Sequence, residues 1–379
     1  MSDNLTLPTP QDSAGSTAPE PLLTVEGLTK HFPIYGGFPI KRKVGAVQAV
    51  DGVDLTVGVG ESVGLVGESG CGKSTTGRLI TRLLDPTGGK ITYAGQDITK
   101  SSRRQLAPVR SEIQMIFQDP YSSLNPRQTV GTIIKSPMEV NGIEPEGGRE
   151  KKVRELLELV GLNPEHYNRF PHEFSGGQRQ RIGVARALSL NPKLIVADEP
   201  VSALDVSIQA QVVNLLKQVQ EEMGIAFLFI AHDLAVVRHF SQRVAVMYLG
   251  KVVEVGDRDS IYNRPRHPYT HALLSAVPEV ELDGEDSRER IRLAGDVPSP
   301  IHPPSGCRFR TRCWKAQDKC ATEEPPLVQL SGNREGHLTA CHFPEDPTTE
   351  ARAEDVVLDP ALKALEAEAA AEPGKAAKE

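Results

Sequence analysis

Aromatic side chains are scarce in this sequence: they make up 5% of its 379 residues, with a single tryptophan, Trp314. An excess of cations is also missing. The formal net charge is −7, which excludes a nucleic-acid binder acting through bulk positive charge. No apolar run approaches the ~18–20 residues that cross a bilayer, so work at a membrane needs other subunits. Residues 1–20 are acidic and rich in Ser, Thr and Pro, with neither the basic nor the apolar region of a secretory signal. A cytosolic chain is expected, in which disulfides are disfavoured. None of the five cysteines forms a C-x-x-C pair, which removes the usual zinc-ribbon and ferredoxin spacings.

What is present starts with Gly67-Glu68-Ser69-Gly70-Cys71-Gly72-Lys73-Ser74-Thr75. It fits G-x-x-x-x-G-K-[ST], a loop that binds the phosphates of a nucleoside triphosphate. The apolar run Ser62 to Val66 before it reads as a buried strand, and Thr75 to Leu84 after it as a helix. The glycines Gly67, Gly70 and Gly72 let backbone N–H groups turn toward the phosphates. The helix N-terminus adds partial positive charge. Lys73 would reach the β- and γ-phosphates of ATP, and Ser74 would ligate Mg²⁺. Cys71 reads as a small residue suiting the loop.

Residues 1–21 have the composition of a disordered tail. Leu23 to Leu28 and Val53 to Val57 alternate like strands of an antiparallel sheet. Between them, Tyr35 to Gly45 reads as a solvated loop carrying Lys41-Arg42-Lys43. A largely helical region spans about 118–188, with an amphipathic stretch over Gly148–Val160. Lys193 to Asp198, Ser207 to Met223 and Ile225 to Ala231 then form a strand–helix–strand unit. Pro265-Arg266-His267-Pro268 marks a boundary. A Pro- and Cys-rich segment fills 266–344. An Ala/Glu/Lys-rich tail, 345–379, is expected to be disordered, with at most a lone helix over Leu358–Ala371.

Asp198-Glu199 closes a predicted strand. Asp198 can reach Mg²⁺, and Glu199 is placed to polarise a water attacking the γ-phosphate; standing alone, the pair would read as helix-capping acids. Ser175-Gly176-Gly177-Gln178 opens a helical run. It reads as an ordinary N-cap or as a second phosphate-binding element. One chain with one nucleotide loop has no use for a second such element, so it would serve a nucleotide on another subunit. Cys307, Cys313, Cys320 and Cys341 are separated by five, six and twenty residues. They suggest a bound metal, with free thiols as the alternative.

Taken together, these motifs resemble the ATP-binding-cassette ATPases over roughly residues 22–265. The phosphate loop, Gln118, the signature segment from Phe174, Asp198-Glu199, Ser202-Ala203-Leu204-Asp205 and His232 stand in the family's order. The resemblance implies an α/β P-loop NTPase with a mixed-sheet core, an antiparallel β subdomain and a helical subdomain, plus a small Cys-rich C-terminal extension. It implies ATP binding by Gly67, Ser69, Gly70, Cys71, Gly72, Lys73, Ser74 and Thr75. Phe32 would stack on adenine, with core packing as the alternative. It further implies that Gln118 senses the γ-phosphate and Mg²⁺, that Glu199 and His232 serve the attacking water, and that Ser74, Gln118 and Asp198 surround Mg²⁺. Ser175, Gly176, Gly177 and Gln178 would clamp ATP bound to the opposite subunit, and Asp205 would link the two sites.

A narrower resemblance, to the ATPases of dipeptide and oligopeptide importers, rests on Gln114 to Tyr121, Pro171 to Gln178, His267-Pro268-Tyr269-Thr270 and Val297-Pro298-Ser299-Pro300. Nickel and some sugar importers share this subfamily. The resemblance implies a peripheral subunit on the cytoplasmic face of the membrane. Its partners would be a second, different ATPase chain, two permease subunits and an extracytoplasmic binding protein, with no nucleic acid. It is similar to the member with a long insert, here Ile34 to Val47. It also implies a [4Fe–4S] cluster at Cys307, Cys313, Cys320 and Cys341, with zinc as second choice. A non-transport ATPase of the same superfamily is the remote alternative.

Overall fold

The computed structural model describes residues 21–37, 42–277 and 291–346. The tails expected over 1–21 and 345–379 lie outside the described residues apart from Pro21, Glu345 and Asp346. The lone helix expected near Leu358 also lies outside them.

The chain begins with a long antiparallel pair, β1 (Pro21–Gly36) and β2 (Arg42–Gly58). Here the structure corrects the reading of Tyr35–Gly45 as a loop. Ile34 pairs with Gly45, Tyr35 with Lys43 and Gly36 with Arg42. The described part of the insert extends the hairpin; residues 38–41 lie outside the described residues. Its β-branched and aromatic residues, Phe32, Ile34, Val44 and Val47, favour a pleated pair over a loop. The strand β3 (Ser62–Val66) follows, then α1 (Lys73–Ile80). β4 (Gly88–Tyr93) and β5 (Gln96–Asp97) return to the hairpin and complete a sheet of order β2-β1-β4-β5.

A short helix, α2 (Leu106–Glu112), leads into β6 (Ile113–Ile116). Three helices form the middle of the chain: α3 (Val130–Val140), α4 (Arg149–Leu159) and α5 (Gly176–Leu188). Then come β7 (Leu194–Asp198), α6 (Val206–Met223), β8 (Ala226–Ala231), α7 (Leu234–Phe240), β9 (Arg243–Tyr248) and β10 (Lys251–Asp257). Strands β6, β7, β8, β3 and β9 lie side by side in that order, all parallel, and β10 turns back antiparallel to β9.

Every residue of β3, β7 and β8 is buried, because both faces of this sheet are covered. Side chains alternate between two cores. Phe227 and Phe229 of β8 enter the core shared with α3 to α7. Ala226, Leu228 and Ile230 enter the core shared with β1, β2 and α1. Burying side chains of this size contributes about 1.5–3 kcal/mol each, so the two cores fix the register of the strands whose ends carry the polar motifs.

After β10, α8 (Arg258–Asn263), α9 (Pro268–Ser275) and α10 (Asp318–Thr322) precede two short strands, β11 (Val328–Gln329) and β12 (Leu338–Thr339). β12 pairs with β10 and β11 with β12, so the C-terminal segment extends the central sheet. Glu254 of β10, with 0% exposure, anchors it. Its carboxylate accepts from the backbone N–H groups of Arg266 (2.6 Å) and His267 (3.0 Å) and meets His337 Nε2 at 2.7 Å. A buried carboxylate needs such partners to offset lost hydration.

His267 N-caps α9, its Nδ1 accepting from the Tyr269 N–H at 3.1 Å. Burial pushes its pKa down to about 4, against the smaller opposing pull of Glu254. In the unfolded chain the imidazole titrates near about 6.5. The unfolded state therefore binds more protons between these values, so stability is full above pH ~6.5 and falls as pH drops to about 4. The loss at the acid end is about 3 kcal/mol. Melting temperatures measured across this window should fall more steeply for the wild type than for His267→Asn, which keeps a capping acceptor without a titrating ring. Parallel slopes would contradict the assignment.

Candidate ATP site

The loop between β3 and α1 is pressed against neighbouring backbone. A Cβ on Gly72, whose φ is +110°, would come 2.1 Å from the Ala49 carbonyl oxygen. One on Gly67 would come 2.1 Å from the carbonyl oxygen of Met247. Only glycine fits at both points. Cys71 is buried, and burial raises its thiol pKa. Its carbonyl accepts from the Gly250 N–H at 2.8 Å.

Lys73, 4% exposed, donates from Nζ to the Gly67 carbonyl at 2.7 Å and to that of Glu68 at 3.1 Å. Ser74 Oγ donates to Asp198 Oδ1 at 2.6 Å. Asp198 ends β7 and is buried, which raises its carboxyl pKa despite the Ser74 hydrogen bond. Two hard oxygen donors thus stand side by side at the foot of the phosphate loop.

Glu199 gathers the remaining groups. Its Oε2 accepts from Gln118 Nε2 at 2.9 Å and lies 3.5 Å from His232 Nδ1. Its Oε1 is 3.8 Å from Lys73 Nζ. The residue is held at φ +45°, a left-handed conformation that costs about 1–3 kcal/mol away from glycine. A hydrogen bond from its N–H to the Ile230 carbonyl, 2.9 Å, helps to impose it. Gln118 follows β6, Glu199 follows β7, His232 follows β8 and the loop follows β3. All four groups therefore lie at the carboxyl edge of one parallel sheet, the usual place for a ligand in such folds.

The signature segment is placed elsewhere. Ser175 caps α5, with its Oγ accepting from the Gln178 N–H at 3.3 Å and its own N–H donating to Gln178 Oε1 at 3.1 Å. Ser175 is exposed. Gly177 packs on α6, where a Cβ would come 2.4 Å from Ile208, and Gly176 faces Leu204. Asp205 is the N-cap residue of α6. Phe32 is 36% exposed on β1, with Lys30 Nζ 5.1 Å from its ring centroid. It is therefore not a core residue.

Two groups were not read as site residues from the sequence. The Tyr269 hydroxyl accepts from the Glu68 N–H at 2.8 Å. Arg312 pairs through both Nη atoms with the Glu68 carboxylate. Each lies at least 200 residues from the loop it touches, beyond any local pattern.

Cys307, Cys313, Cys320 and Cys341 are the remaining expected site. Among the described residues, no group of three or more His, Cys, Asp and Glu side chains is arranged to hold a metal ion. All four thiols are free. They do gather in one region: the Cys307 N–H donates to the Cys320 carbonyl at 2.8 Å. Burial lifts Cys307 to about 11 and Cys341 to about 12, with the neighbouring thiols adding to the rise.

Comparison with known proteins agrees with this geometry. Residues 50–202 match the family described as ABC transporter, and residues 253–320 match the oligopeptide/dipeptide transporter C-terminal region. The oligopeptide transport ATP-binding protein AppF of Bacillus subtilis is 54% identical over 325 residues, covering 86% of this chain and 98% of that one. A probable peptide ABC transporter ATP-binding protein, y4tS of Sinorhizobium fredii, is 52% identical, covering 85% and 89%. The ATP-binding cassette MJ0796, solved as a post-hydrolysis dimer with ADP and phosphate, superposes with a TM-score of 0.55 at 30% identity, over 62% of this chain and 98% of that one. The protein cbiO1 of Clostridium perfringens, part of the ABC transporter complex cbiONQ, gives 0.55 at 27% identity, over 64% and 90%. With half its residues shared along nearly the whole length of such relatives, and with a phosphate loop, Asp198-Glu199, Gln118 and His232 meeting at one sheet edge, this chain belongs to the ATP-hydrolysing subunits of ABC transporters, in the oligopeptide and dipeptide group.

Proposed function

We propose that this chain drives import of dipeptides and oligopeptides, working from the cytoplasmic face of the membrane. The observation that carries the catalytic part is Glu199, held by Gln118 and His232 beside Lys73. The peptide cargo rests on the relatives' names and on the match over 253–320. No helix among the described residues is long and apolar enough to cross a membrane. The partners are then two permease subunits, an extracytoplasmic binding protein and a second ATPase chain. In domain terms, residues 22–265 form the nucleotide-binding unit and 266–344 its importer-type extension.

The roles follow from placement. Gly67 to Thr75 surround the phosphates, and Lys73 moves from the loop carbonyls to the β- and γ-phosphate oxygens. Ser74, Asp198 and Gln118 offer hard oxygen donors, which suit Mg²⁺; the ion neutralises phosphate charge when bound. Glu199 accepts the proton of the attacking water, and His232 orients that water against the γ-phosphate. Phe32 stacks on the adenine. Ser175 to Gln178 open helix α5 with Ser175 exposed, so they can close on ATP held by the partner ATPase, with Asp205 at the joint. Closing and reopening of the two subunits would rock the permease between its states.

For the cysteines, the reading is a [4Fe–4S] cluster. A single zinc needs its thiolates within about 4 Å of one another, given Zn–S bonds near 2.3 Å. A cluster of several irons spans a wider cage. What supports a shared site is that Cys307, Cys313 and Cys320 all lie near enough to Cys341 to raise its pKa; zinc is the second choice.

Three outcomes test these readings. Glu199→Gln should bind ATP as the wild type does, yet hydrolyse it at least ~100-fold more slowly; turnover at the wild-type rate would remove Glu199 as the base. Cells lacking the chain should lose uptake of labelled di- and oligopeptides, restored by the wild type and not by Glu199→Gln. Intact uptake would move the cargo elsewhere. Protein purified without oxygen should carry iron and acid-labile sulfide in equal amounts, and Trp314 emission should rise on chelation and oxidation; zinc in their place would overturn the cluster.

A further inference from the structure

Three arginines lie between Cys307 and Cys313, and two of them, Arg308 and Arg312, reach the nucleotide side of the molecule. The side chain of Arg312 is 8% exposed. It donates from Nη1 to Glu68 Oε2 at 2.6 Å and from Nη2 to Glu68 Oε1 at 3.1 Å. Glu68 is the second residue of the phosphate loop. Its carbonyl also holds Lys73 Nζ, and its N–H is bound to the Tyr269 hydroxyl. Arg308, equally buried, donates to the Leu249 carbonyl at 2.5 Å and Gln48 Oε1 at 2.9 Å, and pairs with Asp51. Asp51 meets His31, the neighbour of Phe32, at 2.9 Å. Phe309, between the arginines, is buried against Tyr248 and Tyr269, with ring centroids 5.2 and 5.3 Å away.

A carboxylate in a phosphate loop is a liability. Near the polyphosphate it repels like charge, and partial burial lessens the screening. Arg312 cancels that charge with a two-point hydrogen bond, the strongest geometry for such a pair. Arg308 performs a parallel service for the base of the β1–β2 hairpin.

We propose that the loop 307–313 is a latch on the nucleotide site, in which Arg312 and Arg308 are positioning residues: Arg312 neutralises and fixes Glu68, and Arg308 fixes the hairpin that presents Phe32. ATP affinity is then set partly by the Cys-rich segment, while the chemical step stays with Glu199. The latch rests on the assignment of 67–75 as the ATP phosphate loop.

The test is Mg-ATP binding to the full chain, with turnover measured at saturating ATP. Arg312→Ala should raise Kd about tenfold, the loss of one strong charged contact, and change kcat less than about twofold. Adding Glu68→Gln to that variant should recover most of the affinity, since no carboxylate is left to neutralise. Arg308→Ala should raise Kd about threefold without responding to Glu68→Gln. Lys73→Ala serves as the reference. If Lys73→Ala loses ATP and Arg312→Ala keeps wild-type affinity, or if Glu68→Gln deepens the defect, the latch is wrong. If Lys73→Ala binds normally, the site assignment fails and the latch with it. Should Arg312→Ala not fold, Arg312→Lys decides: it keeps charge and stem but loses the fork, so Kd should rise about threefold, and a wild-type Kd overturns the proposal.

Discussion

The structure depends on one carboxylate. Glu199 lies at the carboxyl edge of the sheet in a strained backbone conformation, within reach of Lys73, Gln118 and His232. These groups come from the ends of different strands, and only the parallel order β6-β7-β8-β3 makes those ends neighbours. A slip of one residue in any of the strands would turn its core residues to the wrong face. The two apolar cores that forbid such slips are therefore also what holds the polar groups in place.

The same logic explains why residues beyond β10 belong to the site. The buried Glu254 draws Arg266, His267 and His337 together, and β12 adds its hydrogen bonds at the sheet edge. A carboxylate with no exposure is costly unless each lone pair is met. The region it anchors also carries Tyr269, Arg308 and Arg312, which reach the phosphate loop and its surroundings. The C-terminal segment is continuous with the ATPase sheet, and its contacts fall on the side where the nucleotide would bind.

Much of this could be read from the chain alone. The glycine loop, the apolar strand before it and Asp198-Glu199 are local patterns, because phosphate binding needs particular residues at particular spacings along a few turns of backbone. The unbroken apolar run Ile225 to Ala231 and the length of Ser207 to Met223 made strand and helix legible for the same reason. The loop reading of Tyr35–Gly45 failed, since its glycines and lysines masked a strand pattern that pairing makes plain. The spacing of Cys307, Cys313, Cys320 and Cys341 suggested a metal but could not say how near the thiols come.

What only the tertiary structure decided are the contacts between distant segments. The pairing of Arg312 with Glu68, of Arg308 with Asp51 and of Tyr269 with the phosphate loop spans 201 to 257 residues. Charge complementarity at such separation leaves no periodicity in the sequence. It exists only once the cores have closed and brought the two carboxylates and two guanidiniums out of bulk water together. The sequence by itself determined the chemistry this protein can perform; its folding decided which residues outside that chemistry stand over the site.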